Sequence, residues 1–132
     1  MLVTISQHCC SSWQDEWSRC NEKLKQVKMS VEKWKSPVPL TRKEQVAITR
    51  LRIGHTKMTH MFLIMRQPEP MCETCNVHQT VKHALVQCPQ YRNQRQEHEL
   101  DNTITSVLSD NKENITKPIA FLNYTELIKQ MI

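Results

Sequence analysis

The stretch that decides the fold is "MCETCNVHQTVKHALVQCPQY" (Met71–Tyr91), which holds three of the chain's six cysteines and two of its six histidines. Within it, Cys72, Cys75, His83 and Cys88 form a C-x2-C-x7-H-x4-C series. Zn²⁺ binds thiolates and imidazoles in a tetrahedron, and two cysteines separated by two residues can face one ion from a tight turn. Four protein ligands leave no position for water, so the series predicts a structural zinc ion rather than a catalytic one.

Two alternatives to this ligand set stay open. One treats Cys72 and Cys75 as ordinary buried cysteines and His83 as a surface histidine, which leaves their regular spacing unexplained. The other uses His78 in place of His83. His78 lies in the connecting loop, where we expect a spare histidine to be solvated, whereas Thr80 can cap a short helix that carries His83.

The other three cysteines form no comparable set. Cys20 falls on the apolar side of a predicted helix, so we expect a small core residue, and we expect Cys9 and Cys10 to be free thiols near a frayed end. The start "MLVTISQHCC" lacks the basic and apolar regions of a signal peptide, which favours a reducing compartment, the cytoplasm or the nucleus. No apolar run is long enough to span a membrane.

Composition favours one small all-α domain. The chain has 132 residues, 39% of them hydrophobic, and one glycine, which argues against the many turns of a β-sandwich or barrel. A modest core is also where a metal crosslink contributes most to stability. We therefore predict an irregular helical domain stapled by zinc, with an N-terminal helix and linker over residues 1–36 and the main domain over residues 37–132.

Local patterns place the helices. Apolar residues at three- and four-residue steps predict a first helix from about Ser12 to Lys28, with a weaker pattern onward to Trp34, and "KSPVPL" is a link. Thr41 begins a T-x-x-E capping box, Gly54 ends that helix, and Thr56 begins another. The segments "ITSVLSD" and "KPIAFLNYTELIKQMI" predict short helices that close over the core.

Positive charge is concentrated in residues 19–66, which carry twelve Lys and Arg against three Glu, whereas the whole chain carries a net charge of +5. A basic segment suits the phosphate backbone of RNA or DNA, and the alternative is a solvated lysine-rich surface. The predicted phosphate-binding residues are Arg42, Lys43, Arg50, Arg52 and Lys57. For His55 and His60 nearby, helix-end hydrogen bonding or core packing is favoured over catalysis.

The sequence shows no motif of an enzyme. It has no glycine-rich phosphate loop, no H-E-x-x-H, no G-x-S-x-G and no spaced carboxylates for two-metal chemistry. We therefore predict a non-enzymatic protein without a small-molecule substrate and without a membrane partner.

Three stretches, "WQDEW…KL…W", "RKEQVAITRLRIGHTKMTHMFLI" and "CETC…HALVQCPQYRNQR", together resemble the carboxyl-terminal region of non-LTR retrotransposon polyproteins, in particular insect-type elements such as Jockey and the I element. The likeness runs from about Trp13 to the tail. In that family this region follows the reverse transcriptase and ribonuclease H domains, whose catalytic residues this chain lacks.

The resemblance implies a zinc-binding knuckle at Cys72, Cys75, His83 and Cys88 that contacts nucleic acid. The chain would then be a non-enzymatic fragment of a reverse transcriptase polyprotein. Two alternatives remain: a protein-interaction or scaffolding module whose apolar tail docks on a partner, and a retroelement remnant without a function of its own.

Overall fold

The structure is a computed structural model that describes residues 4–33, 38–109 and 112–132. The described residues are mostly helical and contain no strand, and their only β pairing is an isolated bridge between Met71 and His78. The α-helices are α1 (Ile5–Arg19), α2 (Arg42–Ile53), α3 (Lys57–Met65), α4 (Arg92–Glu97), α5 (Ile104–Val107), α6 (Lys112–Tyr124) and α7 (Ile128–Met131), joined by 3-10 turns at Lys23–Gln26 and Pro89–Tyr91 and a π-helical turn at His83–Gln87. The all-α prediction is confirmed.

Short-range hydrogen bonds define the α2–α3 pair as predicted. The Thr41 backbone N–H donates to Glu44 Oε2 (2.8 Å) and the Glu44 N–H donates to Thr41 Oγ1 (3.3 Å), which completes the capping box of α2. Gly54 ends α2 with φ 79°, a left-handed conformation that glycine adopts without a Cβ penalty. Thr56 then caps α3 by accepting from the Thr59 N–H (3.2 Å).

The hydrophobic core is built from α2, the residues around the cysteine series, and the three C-terminal helices. α2 and α3 both pack on α7, and α5 packs on α6. The buried apolar residues of this core are Val27, Ala47, Ile48, Leu51, Val81, Leu85, Val107, Leu108, Ile115, Ile119, Phe121, Leu122, Leu127, Ile128 and Met131. The C-terminal segments therefore close over the core as predicted.

Burial of the C-terminal tail argues against one alternative, in which the apolar tail docks on a partner protein. Phe121 and Leu122 are fully buried within the chain's own core, and Met131 at the last turn is buried as well. An apolar tail that is committed to its own core is not available to dock on a partner. Among the described residues, no helix is both long and apolar enough to cross a lipid bilayer.

The first helix differs from the prediction of Ser12 to Lys28 at both ends, because α1 spans Ile5–Arg19. The early start follows from a T-x-x-Q capping box, in which the Thr4 N–H donates to Gln7 Oε1 (3.1 Å). That signal is present in the sequence and predicts the earlier start.

The early end of α1 has a long-range cause. The chain folds back after α1, so that Trp17 Nε1 donates to the Lys28 carbonyl (2.9 Å) and Gln14 Nε2 donates to the Met29 carbonyl (3.0 Å). In a continuous helix Trp17 and Lys28 would lie about 16 Å apart along the axis, so these bonds and the longer helix are mutually exclusive. The predicted extension toward Trp34 is wrong over residues 29–33, which are not helical. Trp34 itself and the boundary between residues 36 and 37 lie outside the described residues.

The prediction for Cys20 is wrong. Cys20 is the first residue after α1, its backbone is extended (ψ 146°), and its side chain is exposed rather than in the core. No residue of α1 is buried, so the helix offers Cys20 no core to enter. Cys9 and Cys10 are exposed free thiols as predicted, although they lie within α1 rather than at a frayed end.

Candidate metal centre

The four predicted ligand residues converge in space. One ligand atom from each of Cys72, Cys75, His83 and Cys88 lies within 4.8 Å of the other three. The Cys88 sulfur lies 3.8 Å from the Cys72 sulfur and 3.9 Å from the Cys75 sulfur. All three cysteines are free thiols, because a disulfide requires sulfur atoms about 2.05 Å apart.

These sulfur separations match the edges of a zinc tetrahedron. With Zn–S bonds of about 2.3 Å, two sulfurs at tetrahedral vertices lie about 3.8 Å apart. The two measured edges of 3.8 and 3.9 Å agree with that value. The cluster therefore has the ligand types, the ligand number and the spacing for one tetrahedral ion.

A tight turn of the backbone brings Cys72 and Cys75 together. The Cys72 N–H donates to the Val77 carbonyl (2.8 Å) and the Asn76 N–H donates to the Cys72 carbonyl (2.7 Å). Asn76 closes the turn with φ 53°, in the left-handed region that asparagine tolerates better than most residues. The pKa of Cys72 is lowered most by the His83 ring, and the backbone N–H groups of Cys75 and Thr74 in this turn lower it further.

A π-helical turn brings His83 and Cys88 together. On an α-helix, residues five apart lie about 140° apart around the axis, so the H-x4-C spacing would separate the two side chains. The turn at His83–Gln87 is wound more widely, with the Cys88 N–H donating to the His83 carbonyl (2.7 Å), and such turns are common at functional sites. Thr80 Oγ1 accepts from the His83 N–H (3.0 Å) and holds the start of this segment as predicted.

Most of the cluster is shielded from solvent. Cys72, His83 and Cys88 are 6%, 5% and 1% exposed, whereas Cys75 is half-buried, so an ion at their centre would be accessible mainly beside Cys75. The Nε2 atom of His83 is buried and has no hydrogen-bond partner among the described residues. Other buried polar atoms also lack a hydrogen-bond partner, but only His83 Nε2 lies beside three sulfurs among the described residues. A bond to a metal ion would give this nitrogen a partner.

The thiols differ in acidity because their surroundings differ. The adjacent His83 ring, outweighing burial, lowers the pKa of Cys72 to about 6, so this thiol ionises readily. Burial and the neighbouring sulfurs raise the pKa of Cys75 to about 11. A cluster of three neighbouring thiols resists full ionisation, and a divalent cation supplies the positive charge that allows it.

Two residues outside the ligand set lie close to the sulfurs, and the sequence analysis missed both. Burial raises the pKa of Tyr91, and the charge of Cys88 adds to that rise. Burial lowers the pKa of Arg95, while the charge of Cys88 opposes the change. Three thiolates around a bound dication would leave one net negative charge, which the nearby Arg95 would offset. The C-x2-C-x7-H-x4-C spacing does not predict either residue, because Tyr91 and Arg95 follow the last ligand and the turn after Cys88 places them near the sulfurs.

The rival ligand His78 lies outside the cluster. Its side chain is exposed, and its Nδ1 atom is 3.3 Å from Glu69 Oε2. The bridge between Met71 and His78 belongs to the backbone of the turn and does not direct the imidazole toward the sulfurs.

Four of the five predicted phosphate-binding residues are accessible. Arg42 and Lys43 are exposed in the first turn of α2, Lys57 is exposed in the first turn of α3, and Arg50 is half-buried near the end of α2. Arg42 and Arg50 lie about 12 Å apart along α2, so they would contact different phosphates.

Arg52 is a correction to that set. It is only 8% exposed, with Nε donating to the Leu108 carbonyl (2.9 Å) and Nη2 donating to the Ser109 carbonyl (3.0 Å). These carbonyls follow the end of α5, where a cation is also favoured by the helix dipole. The guanidinium joins α2 to α5, so we remove Arg52 from the phosphate-binding set.

No protein-family model, curated protein or solved structure matches the chain. The retrotransposon resemblance therefore stays a prediction.

Proposed function

We propose that the protein is a small helical module that holds one structural Zn²⁺ at Cys72, Cys75, His83 and Cys88 and binds the phosphate backbone of RNA or DNA. The observation that carries the zinc assignment is the pair of sulfur separations, 3.8 and 3.9 Å, which are close to the edge of about 3.8 Å of a zinc–thiolate tetrahedron. The ion is structural because four protein ligands fill its coordination.

The zinc would fasten the turn at Cys72–Cys75 to the π-helical turn at His83–Gln87. Val81, Ala84 and Leu85 are buried beside the ligands, so the metal site is continuous with the core. Because the ligands of a structural site are brought together only on folding, the binding energy of the metal stabilises the fold.

The positions of three cations support the nucleic-acid proposal. Arg42 and Lys43 lie in the first turn of α2 and Lys57 in the first turn of α3, where the positive end of the helix dipole disfavours cations by about 0.3 to 1 kcal/mol each. Helix stability therefore does not account for them, whereas binding of an anion does. Such contacts give affinity with little dependence on sequence.

The resemblance supports the origin that we propose for the module, a non-enzymatic carboxyl-terminal fragment of a retrotransposon reverse transcriptase polyprotein acting in the cytoplasm or nucleus. In the described part of the chain, the cysteine–histidine cluster is the one group of three or more Cys, His, Asp and Glu side chains placed to share an ion. We propose no catalytic step for this chain, because its sequence contains no motif of an enzyme.

A protein-interaction module is the second candidate function, and the surface of α3 favours it. Leu63, Ile64 and Met65 are 62%, 80% and 58% exposed, an apolar surface of the kind that marks protein contacts. A zinc-stapled fold would serve this function equally well.

Metal analysis and a salt titration test the proposal together. We expect about one zinc per chain, lost in His83→Ala and kept in the matched control His78→Ala. Binding of a labelled single strand should weaken steeply with salt, with a log–log slope of about −2 to −3 for three or four phosphate contacts. Zinc retention in His83→Ala would contradict the metal site. Binding without a salt slope would favour the interaction module.

A further inference from the structure

His55 and His60 form a stacked pair at the junction of α2 and α3. Their ring centroids are 3.8 Å apart and their planes are inclined by 13°, so the rings are nearly parallel. His60 is half-buried and His55 is exposed, which makes His60 the inner ring and His55 the outer ring of the stack. Neither ring belongs to the core, and the metal cluster uses neither.

Backbone motifs hold both rings in place. The His55 N–H donates to the Arg50 carbonyl (3.0 Å) and the Gly54 N–H donates to the Leu51 carbonyl (3.1 Å), the bond pair of a Schellman motif. On the other side, His60 Nδ1 lies 2.7 Å from Thr59 Oγ1, within the capping structure of α3. The helix termini therefore hold both rings in place before a ligand binds, so binding would cost little conformational entropy.

The residues at the Schellman positions are unusual for a purely structural turn. The motif commonly brings an apolar pair into contact, one residue before the helix end and one just after it. Here those positions hold Arg50 and His55. This pair adds no apolar stabilisation, and it directs a cation and an aromatic ring to the same surface.

That surface is a shallow groove of about 250 Å³ between the two helices. Arg50, His55, Lys57 and His60 line it together with the apolar side chains of Met61 and Ile64. None of its described lining residues is acidic. The volume falls below the roughly 300 to 1,000 Å³ of an enclosed small-molecule pocket, so the groove suits one flat group laid on an open surface.

A nucleotide combines the features that this groove would recognise. Nucleobases stack on aromatic side chains, histidine among them, whatever their sequence, and phosphates pair with Arg and Lys. Met61 and Ile64 offer apolar contact to the base or the sugar, and the two cations lie where flanking phosphates would run.

We propose that the His55–His60 stack is a base-stacking subsite for one nucleotide of a single-stranded RNA or DNA, with Arg50 and Lys57 binding the adjacent phosphates. The inference rests on the proposed nucleic-acid function and adds to it a contact with a base. His55 is the ring that meets the base, and His60 supports it from beneath.

The test compares two labelled strands of roughly ten nucleotides, one with bases and one abasic, by fluorescence anisotropy at a fixed low salt concentration. The two strands have the same number of phosphates, so their difference measures the bases alone. We expect the zinc-loaded wild-type protein to prefer the base-bearing strand about fivefold, the lower end of the range for one stacked base. His55→Ala should abolish that preference without weakening the abasic strand, and His55→Phe should keep it.

Matched controls separate the possible failures. His78→Ala, another exposed histidine, should behave as wild type on both strands, whereas Lys57→Ala should weaken both strands and flatten the salt slope by about 0.7. An unchanged base preference in His55→Ala would overturn the stacking subsite while leaving the phosphate contacts intact. If neither strand binds in a salt-dependent manner, the proposed function itself fails and the apolar α3 surface becomes the site to pursue. Circular dichroism of each variant verifies that the helices persist.

Discussion

The buried guanidinium of Arg52 gives a quantitative test of how α2 and α5 are joined. Replacing Arg52 with methionine keeps most of the apolar stem and removes the two donors. The Leu108 carbonyl, which accepts from Nε at 2.9 Å, is left buried, and the Ser109 carbonyl, which accepts from Nη2 at 3.0 Å, is left partly exposed.

The expected loss follows from those two acceptors. An unpaired buried carbonyl costs about 1 to 3 kcal/mol, and loss of the second bond, whose acceptor can turn to water, costs about 0.5 to 1.5 kcal/mol. Arg52→Met should therefore lower the free energy of unfolding by about 1.5 to 4.5 kcal/mol, a large share of the roughly 5 to 15 kcal/mol of a typical domain. The free energy of unfolding of Arg52→Lys should lie between those of the wild type and Arg52→Met, because an ammonium group lacks the planar fork that spans two carbonyls.

Urea unfolding followed by circular dichroism, with zinc kept in fixed excess, measures the change. With a slope near 2 kcal/mol per molar urea, the midpoint should fall by about 1 to 2 M. Arg50→Met, two residues earlier on the same helix and facing the surface groove, should shift stability by less than about 0.5 kcal/mol. A stable Arg52→Met protein with a flattened salt slope for RNA would refute the reasoning and return Arg52 to the phosphate-binding set.

Four further outcomes are expected. Cys75→Ser should reduce zinc from about one equivalent to none while Cys20→Ser, an exposed cysteine, keeps it; metal analysis decides, and retention in the first variant would end the assignment. Replacing Arg42 and Lys43 together with alanine should flatten the log–log salt slope by about one unit with little change between sequences, and an unaltered slope would mark them as solvated residues. Gly54→Ala should cost about 1 to 2 kcal/mol in urea unfolding through backbone strain at φ 79° alone, because no atom lies within 4 Å of the added Cβ; a neutral result would contradict the left-handed turn. We expect no magnesium-dependent nuclease or polymerase turnover, and activity that survives purification and disappears with a point substitution in this chain would overturn the non-enzymatic proposal.

The helix ends that were predicted correctly are those whose hydrogen-bond partners lie three to five residues apart. The Thr41–Glu44 capping box, the stop at Gly54 and the restart at Thr56 are each completed by bonds within one turn. Such bonds form independently of the rest of the chain, so a short stretch of sequence contains all the information needed to predict them.

Apart from the start of α1, whose capping signal at Thr4 and Gln7 is local, the errors depend on residues far away in the chain. α1 ends early because Trp17 bonds to a carbonyl eleven residues later, and that reversal also leaves Cys20 exposed. Arginine is usually found on the protein surface, yet the hydrogen-bond partners of Arg52 are more than fifty residues away in the chain, at Leu108 and Ser109. No local pattern encodes these contacts.

The candidate metal centre combines both kinds of information. The sequence by itself determined the ligand types and the turn at Cys72–Cys75, since thiolate and imidazole chemistry and a two-residue gap are local properties. Only the tertiary structure decided that His83 joins the three sulfurs and that His78 remains outside. The reason is that a π-helical turn and packing against the core orient the His83 imidazole toward the sulfurs. The basic segment shows the same difference between sequence and tertiary structure. The sequence determined how many charges the segment has, and packing decided which of them face solvent. Burial of a charged side chain depends on which residues from the rest of the chain pack against it.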